Sequence, residues 1–459
     1  MSRPVTLLLL LMSVLGLSAG DPVRPNVIVV LVDDLGWTDL ACFGSKYHQT
    51  PHLDQLAKDG MRFTNGYSAC TVCSPTRAAL LTGQYPARLH LTDWIAGHNQ
   101  PFAKLKIPAW TQQLELSTVT IAERLKSAGY ATASIGKWHL GDETHFPEKH
   151  GFDLNVGGYN KGQPPSYHAP YKIPTMSEGP PGEYLTDREA LEAEKFITTN
   201  KDRPFFLYLP HYAVHTPIQA KAAVIAKYKA IDSTGMTHTK ADYAALMESV
   251  DDAMGHIRAT LAKLKIDDRT IIIFTGDNGG LIGPTSNKPL RVGKGAAYEG
   301  GVRVPWIIHW PGVTKPGAES ATPIMTIDIH PTVLAMTGVT PDASQPLDGV
   351  SLAEHLRGQS APARDALFWH YPHYHPGGAT PYSAVRMGDW KLIHFFEDDH
   401  VELYNLSKDL SETTDLAKQE LKRATDMRQR LEQWRMAVGA QLPTPNPAYD
   451  PAKGKEKKK

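Results

Sequence analysis

Cysteine is scarce in this sequence. Only three of the 459 residues are cysteines, namely Cys42, Cys70 and Cys73, which is too few for a disulfide scaffold in a chain of this length. Because the count is odd, at least one thiol has no partner within the chain. That thiol is Cys73 if Cys42 pairs with Cys70, and the sequence leaves open whether this pair forms.

An excess of charge of either sign is also absent. The 48 Lys and Arg residues balance the 48 Asp and Glu residues, so a general attraction to nucleic acid or to a membrane surface has no electrostatic basis. No run beyond the N-terminus is apolar enough to span a bilayer. We therefore expect no nucleic-acid partner and no stable membrane association.

The longest apolar run lies at the N-terminus. Arg3 is followed by an apolar stretch over residues 7–12 and then by the small residues Gly16, Ser18, Ala19 and Gly20. This order is typical of a cleaved signal peptide over residues 1–20, with an uncleaved anchor as the alternative. We expect an exported protein, either periplasmic or secreted.

Four short apolar runs each end in a polar cluster. They cover residues 26–32, 132–135, 205–209 and 270–274, and runs of this kind are typical of strands buried on both faces. The polar residues that follow are, in the same order, Asp33 and Asp34, Lys137 and His139, His211 and His215, and Asp277 and Asn278. Helical patterns cover 120–129, 186–197 and 243–264, and the first opens with a capping box at Thr120 and Glu123.

This alternation of strands and helices predicts an α/β fold. A large mixed, mostly parallel sheet would be sandwiched by helices. In such sheets ligands bind beyond the carboxyl ends of the strands. We therefore expect the four polar clusters to meet at one edge of the sheet and to form the functional site there.

The composition divides the chain into regions. We predict a catalytic domain over residues 21–355, a C-terminal antiparallel subdomain over 356–443, and a disordered basic tail over 444–459. Within the subdomain, hairpin-like alternation over 368–405 precedes a helix over 417–438. Residues 140–183 are rich in Gly, Pro, Tyr and His and should form long surface loops, which carry specificity more often than stability.

The stretch Cys73-Ser74-Pro75-Thr76-Arg77 reads as the start of a helix. Ser74 suits the N-cap, Pro75 suits the first helical position, and Gly83 is the expected stop. Cys73 would then lie just outside the N-terminus, where the helix dipole lowers the pKa of a thiol and favours bound anions. The alternative is a half-buried cysteine with a purely structural role.

The polar clusters contain an all-oxygen set and a group of cations. Carboxylate and amide oxygens favour Ca²⁺ or Mg²⁺ over zinc, and this set consists of Asp33, Asp34, Asp277 and Asn278. Two solvated carboxylates that cap a turn are the alternative for the paired aspartates. A metal surrounded by fixed cations suits a compact anion such as sulfate or phosphate, and the cationic or imidazole groups here are Arg77, Lys137, His139, His215 and Lys294.

These residues fall in motifs that resemble those of the sulfatase family, within the alkaline-phosphatase-like superfamily. The resemblance covers about residues 22–440. Besides Cys73-Ser74-Pro75-Thr76-Arg77, the matching stretches are residues 32–36, 50–54, 136–141, 215–217, 275–279 and 293–301. Such an ordered series implies the alkaline-phosphatase-like form of the α/β fold and a sulfuric ester hydrolase.

The resemblance also implies a modified nucleophile. A formylglycine-generating or anaerobic sulfatase-maturating enzyme would oxidise Cys73 to formylglycine, and a hydroxyl of its hydrate would attack sulfur. Ca²⁺, or Mg²⁺ as the alternative, would be bound by Asp33, Asp34, the modified Cys73, Asp277 and Asn278. Without the maturing enzyme the protein should fold but have little activity.

The cations and imidazoles take separate roles in this scheme. Arg77 and Lys137 would hold the hydrated side chain. His215 and Lys294 would contact the sulfate and help to protonate the leaving oxygen. His139 would take the proton from the second hydroxyl, which expels sulfate and regenerates the aldehyde.

The expected substrate is a sulfated sugar, a galactose or N-acetylgalactosamine sulfate in particular. Aromatic and imidazole groups suit stacking on sugars and contacts with hydroxyls, and the candidate residues are Trp94, His98, His168, His370, His373 and His375. The alternative for each of these side chains is a structural role in the packing of loops. Two other functions stay open, namely a phosphate or phosphonate ester hydrolase of the same superfamily and a non-catalytic anion-binding pseudo-sulfatase.

Overall fold

The computed structural model describes residues 24–453, so the predicted signal peptide lies outside the described residues. A mixed sheet of eight strands forms the centre. In spatial order its strands are Ala318–Ser320, Met61–Phe63, Trp306–His309, Thr270–Gly276, Asn26–Val32, Phe205–Pro210, Ala131–Ile135 and Leu154–Val156. Only Trp306–His309 runs antiparallel to its neighbours within this sheet, which confirms the predicted mixed, mostly parallel fold.

Both faces of the central strand Asn26–Val32 are buried, as its continuous apolar run predicts. Val27 and Val29 pack on one side of the sheet, whereas Ile28 and Val30 pack on the other. Helices cover each face. The α-helices among the described residues are Pro51–Asp59, Cys73–Thr82, Pro86–Leu89, Ile121–Ser127, Leu185–Thr199, Ala222–Lys229, Ala241–Leu264, Glu299–Val302, Ile329–Thr337, Ala353–Leu356 and Leu421–Val438.

A second, antiparallel sheet follows in the C-terminal part. Its strands are Leu367–Tyr371, Tyr382–Met387, Trp390–Phe395 and Val401–Asn405. The last helix packs on this sheet through Trp434, whose ring stacks on Phe368 at 4.7 Å. That helix begins at Leu421 rather than at the predicted residue 417, because residues 417–419 form a turn.

The prediction of a disordered tail over 444–459 is wrong for its first residues. Thr444–Pro445 pairs with Leu105–Lys106 as a two-stranded sheet, and the amide of Asn446 donates hydrogen bonds to the carbonyls of Pro101 and Ala103. Backbone pairing with a distant loop therefore fixes residues that composition alone assigns to disorder. Residues 454–459 lie outside the described residues.

A buried ion cluster joins the C-terminal sheet to the larger part of the chain. Lys391 lies 2.9 Å from a carboxylate oxygen of Glu299 and 3.0 Å from one of Glu412, and all three side chains are fully buried. Tyr67 also donates a hydrogen bond to Glu299 at 2.7 Å. Burial raises the pKa of Glu412 to about 7, although Lys391 opposes this effect.

Lys391→Met should destabilise the protein strongly. It leaves two buried carboxylates without their shared cation, a change that typically costs about 3–5 kcal/mol. The measurement is the midpoint of urea or thermal unfolding. Lys422→Met, which breaks an exposed pair with Asp426, should change stability by less than about 1 kcal/mol, and equal effects of the two variants would contradict this expectation.

Candidate active site

The four polar clusters meet beyond the carboxyl ends of four adjacent strands. Thr270–Gly276, Asn26–Val32, Phe205–Pro210 and Ala131–Ile135 are neighbours in this order. The residues that follow them therefore lie side by side at one edge of the sheet, as the strand pattern predicts. His211 differs from the other polar residues in its contacts. Its Nδ1 lies 2.6 Å from Oε2 of the buried Glu189, so it belongs to the packing behind the site.

Each buried carboxylate of the site has a basic partner. Lys137 Nζ lies 2.5 Å from Asp33 Oδ2, and Lys294 Nζ lies 2.7 Å from Asp34 Oδ1. A third pair joins Arg77 Nη2 to Asp277 Oδ2 at 2.7 Å. These cations come from three distant segments, so the charge pairs also hold those segments together.

The oxygen set fits a hard cation. Asp33 Oδ1, Asp34 Oδ2 and Asn278 Oδ1 are buried and have no hydrogen-bond partner among the described residues. Burial, helped by the nearby charge of Asp277, raises the pKa of Asp33 to about 8. Ligand atoms of Asp33, Cys73 and Asp277 lie within 4.8 Å of one another. A Ca²⁺ or Mg²⁺ ion would satisfy the unpaired oxygens and offset their charge.

Cys73 is the first residue of its helix, with Val72 as the N-cap. The prediction of Ser74 as the N-cap is wrong, because the N-cap lies two positions earlier. The Ser74 hydroxyl instead accepts a hydrogen bond from the backbone N–H of Ile95 at 3.2 Å. The helix ends at Gly83 as predicted, where φ is 71°.

Burial changes the chemistry expected of the cysteines. It raises the pKa of the Cys73 thiol, opposite to the effect predicted from the helix dipole, because desolvation of a thiolate outweighs the dipole here. Cys42, Cys70 and Cys73 are all free thiols in the structure, so the pair between Cys42 and Cys70 is not formed.

Two neutral imidazoles face this centre. His139 Nδ1 lies 3.5 Å from Cys73 Sγ, and its Nε2 donates a hydrogen bond to the carbonyl of Ile95, an arrangement that leaves Nδ1 free to accept a proton. His215 donates from Nδ1 to the carbonyl of Thr216 at 2.8 Å. Its Nε2 lies 3.7 Å from Asp34 Oδ2. Burial lowers the pKa of His139 well below its ordinary value and that of His215 to about 3.

A cavity of about 780 Å³ opens over these groups. Its lining includes Cys73, His139, His215 and Lys294 from the predicted reaction centre. Two of the predicted sugar-binding residues, Trp94 and His375, also line it. Several polar lining residues are not among the predicted ones, namely Gln112, Gln113, Asp142, Tyr159, Asn160, Lys161 and Gln163. For the five within 140–183 the only signal in the sequence is the loop composition, which does not say which side chains face inward, and Gln112 and Gln113 have no such signal.

The prediction of a sugar-binding role is wrong for the buried histidines. His370 bonds Ser383 Oγ at 2.7 Å and the carbonyl of Gln441 at 2.8 Å, and His373 bonds Thr92 Oγ1 at 2.8 Å. Both side chains are buried and neither lines the cavity.

Two further candidates also lie outside the lining of the cavity. His168 packs edge-on against Tyr184, with ring centroids 5.2 Å apart. His98 accepts a hydrogen bond from the Gln100 amide at 3.3 Å. Neither lines the cavity, so of the six candidates only Trp94 and His375 are placed to meet a substrate in it.

Paired acids and bases around a buried cysteine, at the strand ends of an α/β sheet, define a hydrolase for anionic esters. The chain belongs to the sulfatase family and is a sulfuric ester hydrolase. The family model described as Sulfatase matches residues 25–339. A second model, described as N-sulphoglucosamine sulphohydrolase, C-terminal, matches residues 292–437.

Known proteins similar to the chain carry the same family name or structure. A sulfatase of Formosa agariphila is 35% identical over 90% of this chain and 88% of its own length. N-acetylgalactosamine-6-sulfatase of Mus musculus is 36% identical over 77% of this chain and 70% of its own. The crystal structure of Ps i-CgsB in complex with k-i-k-neocarrahexaose has a TM-score of 0.76 and 30% identity, and covers 94% of this chain and 96% of its own. Among residues 24–453, no helix is long and apolar enough to cross a membrane.

Added Ca²⁺ should stabilise the protein. A cation that binds only the folded state raises its stability, by about 2.7 kcal/mol at a hundredfold excess over the dissociation constant. We expect the melting temperature to rise with Ca²⁺ after treatment with a chelator, and Asp33→Asn to abolish most of that rise. Asp142→Asn, which changes an exposed carboxylate at the cavity, is the matched control. A melting temperature independent of Ca²⁺ would rule out the metal site.

Proposed function

We propose that the protein hydrolyses sulfate esters of sugars through a formylglycine made from Cys73 by a maturing enzyme. One observation carries this proposal: the buried Cys73 lies at the floor of the cavity, beside His139 Nδ1 and the carboxylate cluster. The thiol itself is a poor nucleophile there because burial raises its pKa. A hydrated aldehyde is an oxygen nucleophile, which does not depend on a thiolate.

Residues of the chain position the modified side chain and the substrate. Asp33, Asp34, Asp277, Asn278 and the modified Cys73 would hold Ca²⁺, or Mg²⁺ as the alternative. When bound, this cation would stabilise negative charge on the sulfate oxygens. Arg77 and Lys137, both fully buried, keep a fixed positive charge beside Cys73. Lys294 and His215 line the cavity above Asp34 and face the sulfate group.

The reaction then needs three proton transfers. A hydroxyl of the hydrated aldehyde gives its proton to the Asp33 or Asp277 carboxylate beside Cys73, and its oxygen attacks sulfur. The bond from sulfur to the sugar oxygen breaks, and Lys294 protonates that leaving oxygen, while the neutral His215 contacts the sulfate. His139 Nδ1 then accepts the proton of the remaining hydroxyl. The carbon–oxygen bond to the sulfate breaks, sulfate leaves, and the aldehyde forms again and takes up water.

A sugar sulfate is the substrate class that the cavity supports best. Trp94 offers an aromatic face, and the amides of Gln112 and Asn160 offer donors and acceptors for hydroxyl groups. The similarity to an N-acetylgalactosamine-6-sulfatase and to Ps i-CgsB, which was solved in complex with a neocarrahexaose, supports this class. We propose a galactose or N-acetylgalactosamine sulfate, acted on in the periplasm or outside the cell after export.

Replacement of Cys73 tests the nucleophile. Cys73→Ala should abolish turnover of sulfate esters while the unfolding midpoint stays near that of the wild type. Cys73→Ser should also fail to turn over, because a sulfated serine has no second hydroxyl through which to eliminate sulfate. Cys70→Ala changes a neighbouring buried thiol and should retain turnover. Full activity of Cys73→Ala would overturn the proposal.

Peptide mass spectrometry checks the modification in the same preparations. The peptide that contains residue 73 should be about 18 Da lighter than the unmodified peptide, the change that conversion of a thiol to an aldehyde produces. A fully active protein with only unmodified Cys73 would contradict the mechanism.

The choice of anion separates the sulfatase from a phosphate or phosphonate ester hydrolase. The matured protein should hydrolyse an aryl sulfate faster than the matching aryl phosphate, because a single hard cation and three basic groups suit a monoanionic sulfate ester. Initial rates on the two esters give the comparison. A preference for the phosphate would favour the alternative hydrolase, and inactivity of fully modified protein on both esters and on a panel of sulfated monosaccharides would favour a pseudo-sulfatase.

A further inference from the structure

The lysines around the cavity differ in how their charge is used. Lys294 lines the cavity but its charge is held by Asp34 at 2.7 Å. Lys137 lies beneath the cavity and is bound to Asp33 at 2.5 Å. Lys161 also lines the cavity, is exposed, and makes no hydrogen bond or ion pair with any described residue. Its charge is therefore available to a ligand.

Lys161 stands on a wall of the cavity and not at its buried floor. The segment over residues 159–165 forms this wall. Three exposed side-chain amides that also line the cavity, those of Gln112, Asn160 and Gln163, make no hydrogen bond to another described residue. The floor is different, because Cys73 and His139 are only 3% and 2% exposed. A group that meets Lys161 thus lies on a part of the substrate nearer to solvent than the sulfate that is cleaved.

The size of the cavity allows for such a second group. At about 780 Å³ it lies in the upper half of the range of roughly 300–1,000 Å³ that holds drug-sized ligands. The sulfated sugar unit needs only the part of this space above Cys73. The next unit of a saccharide can therefore lie against the wall that carries Lys161 and the unpaired amides.

We propose that Lys161 binds a second anionic group, a carboxylate or a sulfate ester, on the sugar unit next to the one that loses its sulfate. The inference rests on the proposed function, because it takes the substrate to be a sulfated saccharide with its reacting group at Cys73. An exposed ion pair contributes modestly, so we expect an effect of roughly fivefold in affinity.

Binding to the Cys73→Ala protein tests the subsite without turnover. The probes are three disaccharides that carry the same N-acetylgalactosamine sulfate and differ only in the neighbouring unit, which bears a carboxylate, a second sulfate ester or a neutral hydroxymethyl group. Calorimetry should give a dissociation constant about fivefold lower for an anionic neighbour than for the neutral one. The dissociation constants of the carboxylate and sulfate probes then show which anion the site prefers.

Variants test whether Lys161 causes this preference. Added to Cys73→Ala, Lys161→Ala should remove the preference for the anionic neighbour, Lys161→Arg should keep it, and Lys149→Ala, at an exposed lysine that does not line the cavity, should leave it unchanged. Equal affinity for the charged and neutral probes, or a preference that survives Lys161→Ala, would overturn the inference. Because these measurements need no turnover, they stand apart from the aryl sulfate assay, whose failure in matured wild-type protein would overturn the proposed function.

Discussion

The proposed active site depends on the neutralisation of several buried carboxylates. Asp33, Asp34 and Asp277 are at most 1% exposed, and a buried carboxylate without a partner costs several kcal/mol. Arg77, Lys137 and Lys294 supply the opposing charges from three segments that the sheet alone does not hold together. The ion pairs that offset the buried negative charge therefore also fix three segments relative to one another. These are the helix of Cys73, the strand-end loop at Lys137 and the loop at Lys294.

The periodic part of this arrangement could be predicted from the sequence. A run such as 26–32 is apolar at every position because each face of its strand packs against a layer of helices, and the structure has Asn26–Val32 at the centre of the sheet. Parallel neighbours present their carboxyl ends on the same edge. Asp33 and Asp277 consequently had to come close, although 243 residues separate Asp34 from the Asp277 oxygen to which its backbone donates.

The loops could not be predicted in the same way, because no period ties their side chains to a face. The segment over 369–375 has the composition of a sugar-binding surface, yet strand pairing sets His370 opposite Ser383, where it is 3% exposed. His375 comes from the same segment and lines the cavity, beyond the strand that ends at Tyr371. His373 also lies beyond that strand but is fully buried, so the path of the loop decides which of these residues line the cavity.

Cys73 shows how tertiary burial reverses a local effect. A helix N-terminus favours a thiolate by about 0.3–1 kcal/mol at an exposed site, whereas complete burial shifts the pKa of an ionisable group by up to 3–5 units. The second effect is larger, so the thiol pKa rises, although the charges of Lys137 and Lys294 oppose this rise. A raised thiol pKa disfavours a thiolate nucleophile in this site. Its paired cations, unpaired oxygens and neutral imidazoles suit an oxygen nucleophile and an anionic ester. In the proposed function the chemistry therefore belongs to the strand ends of the sheet, whereas the choice of saccharide belongs to the loops of the wall, which can change without disturbing the buried charges.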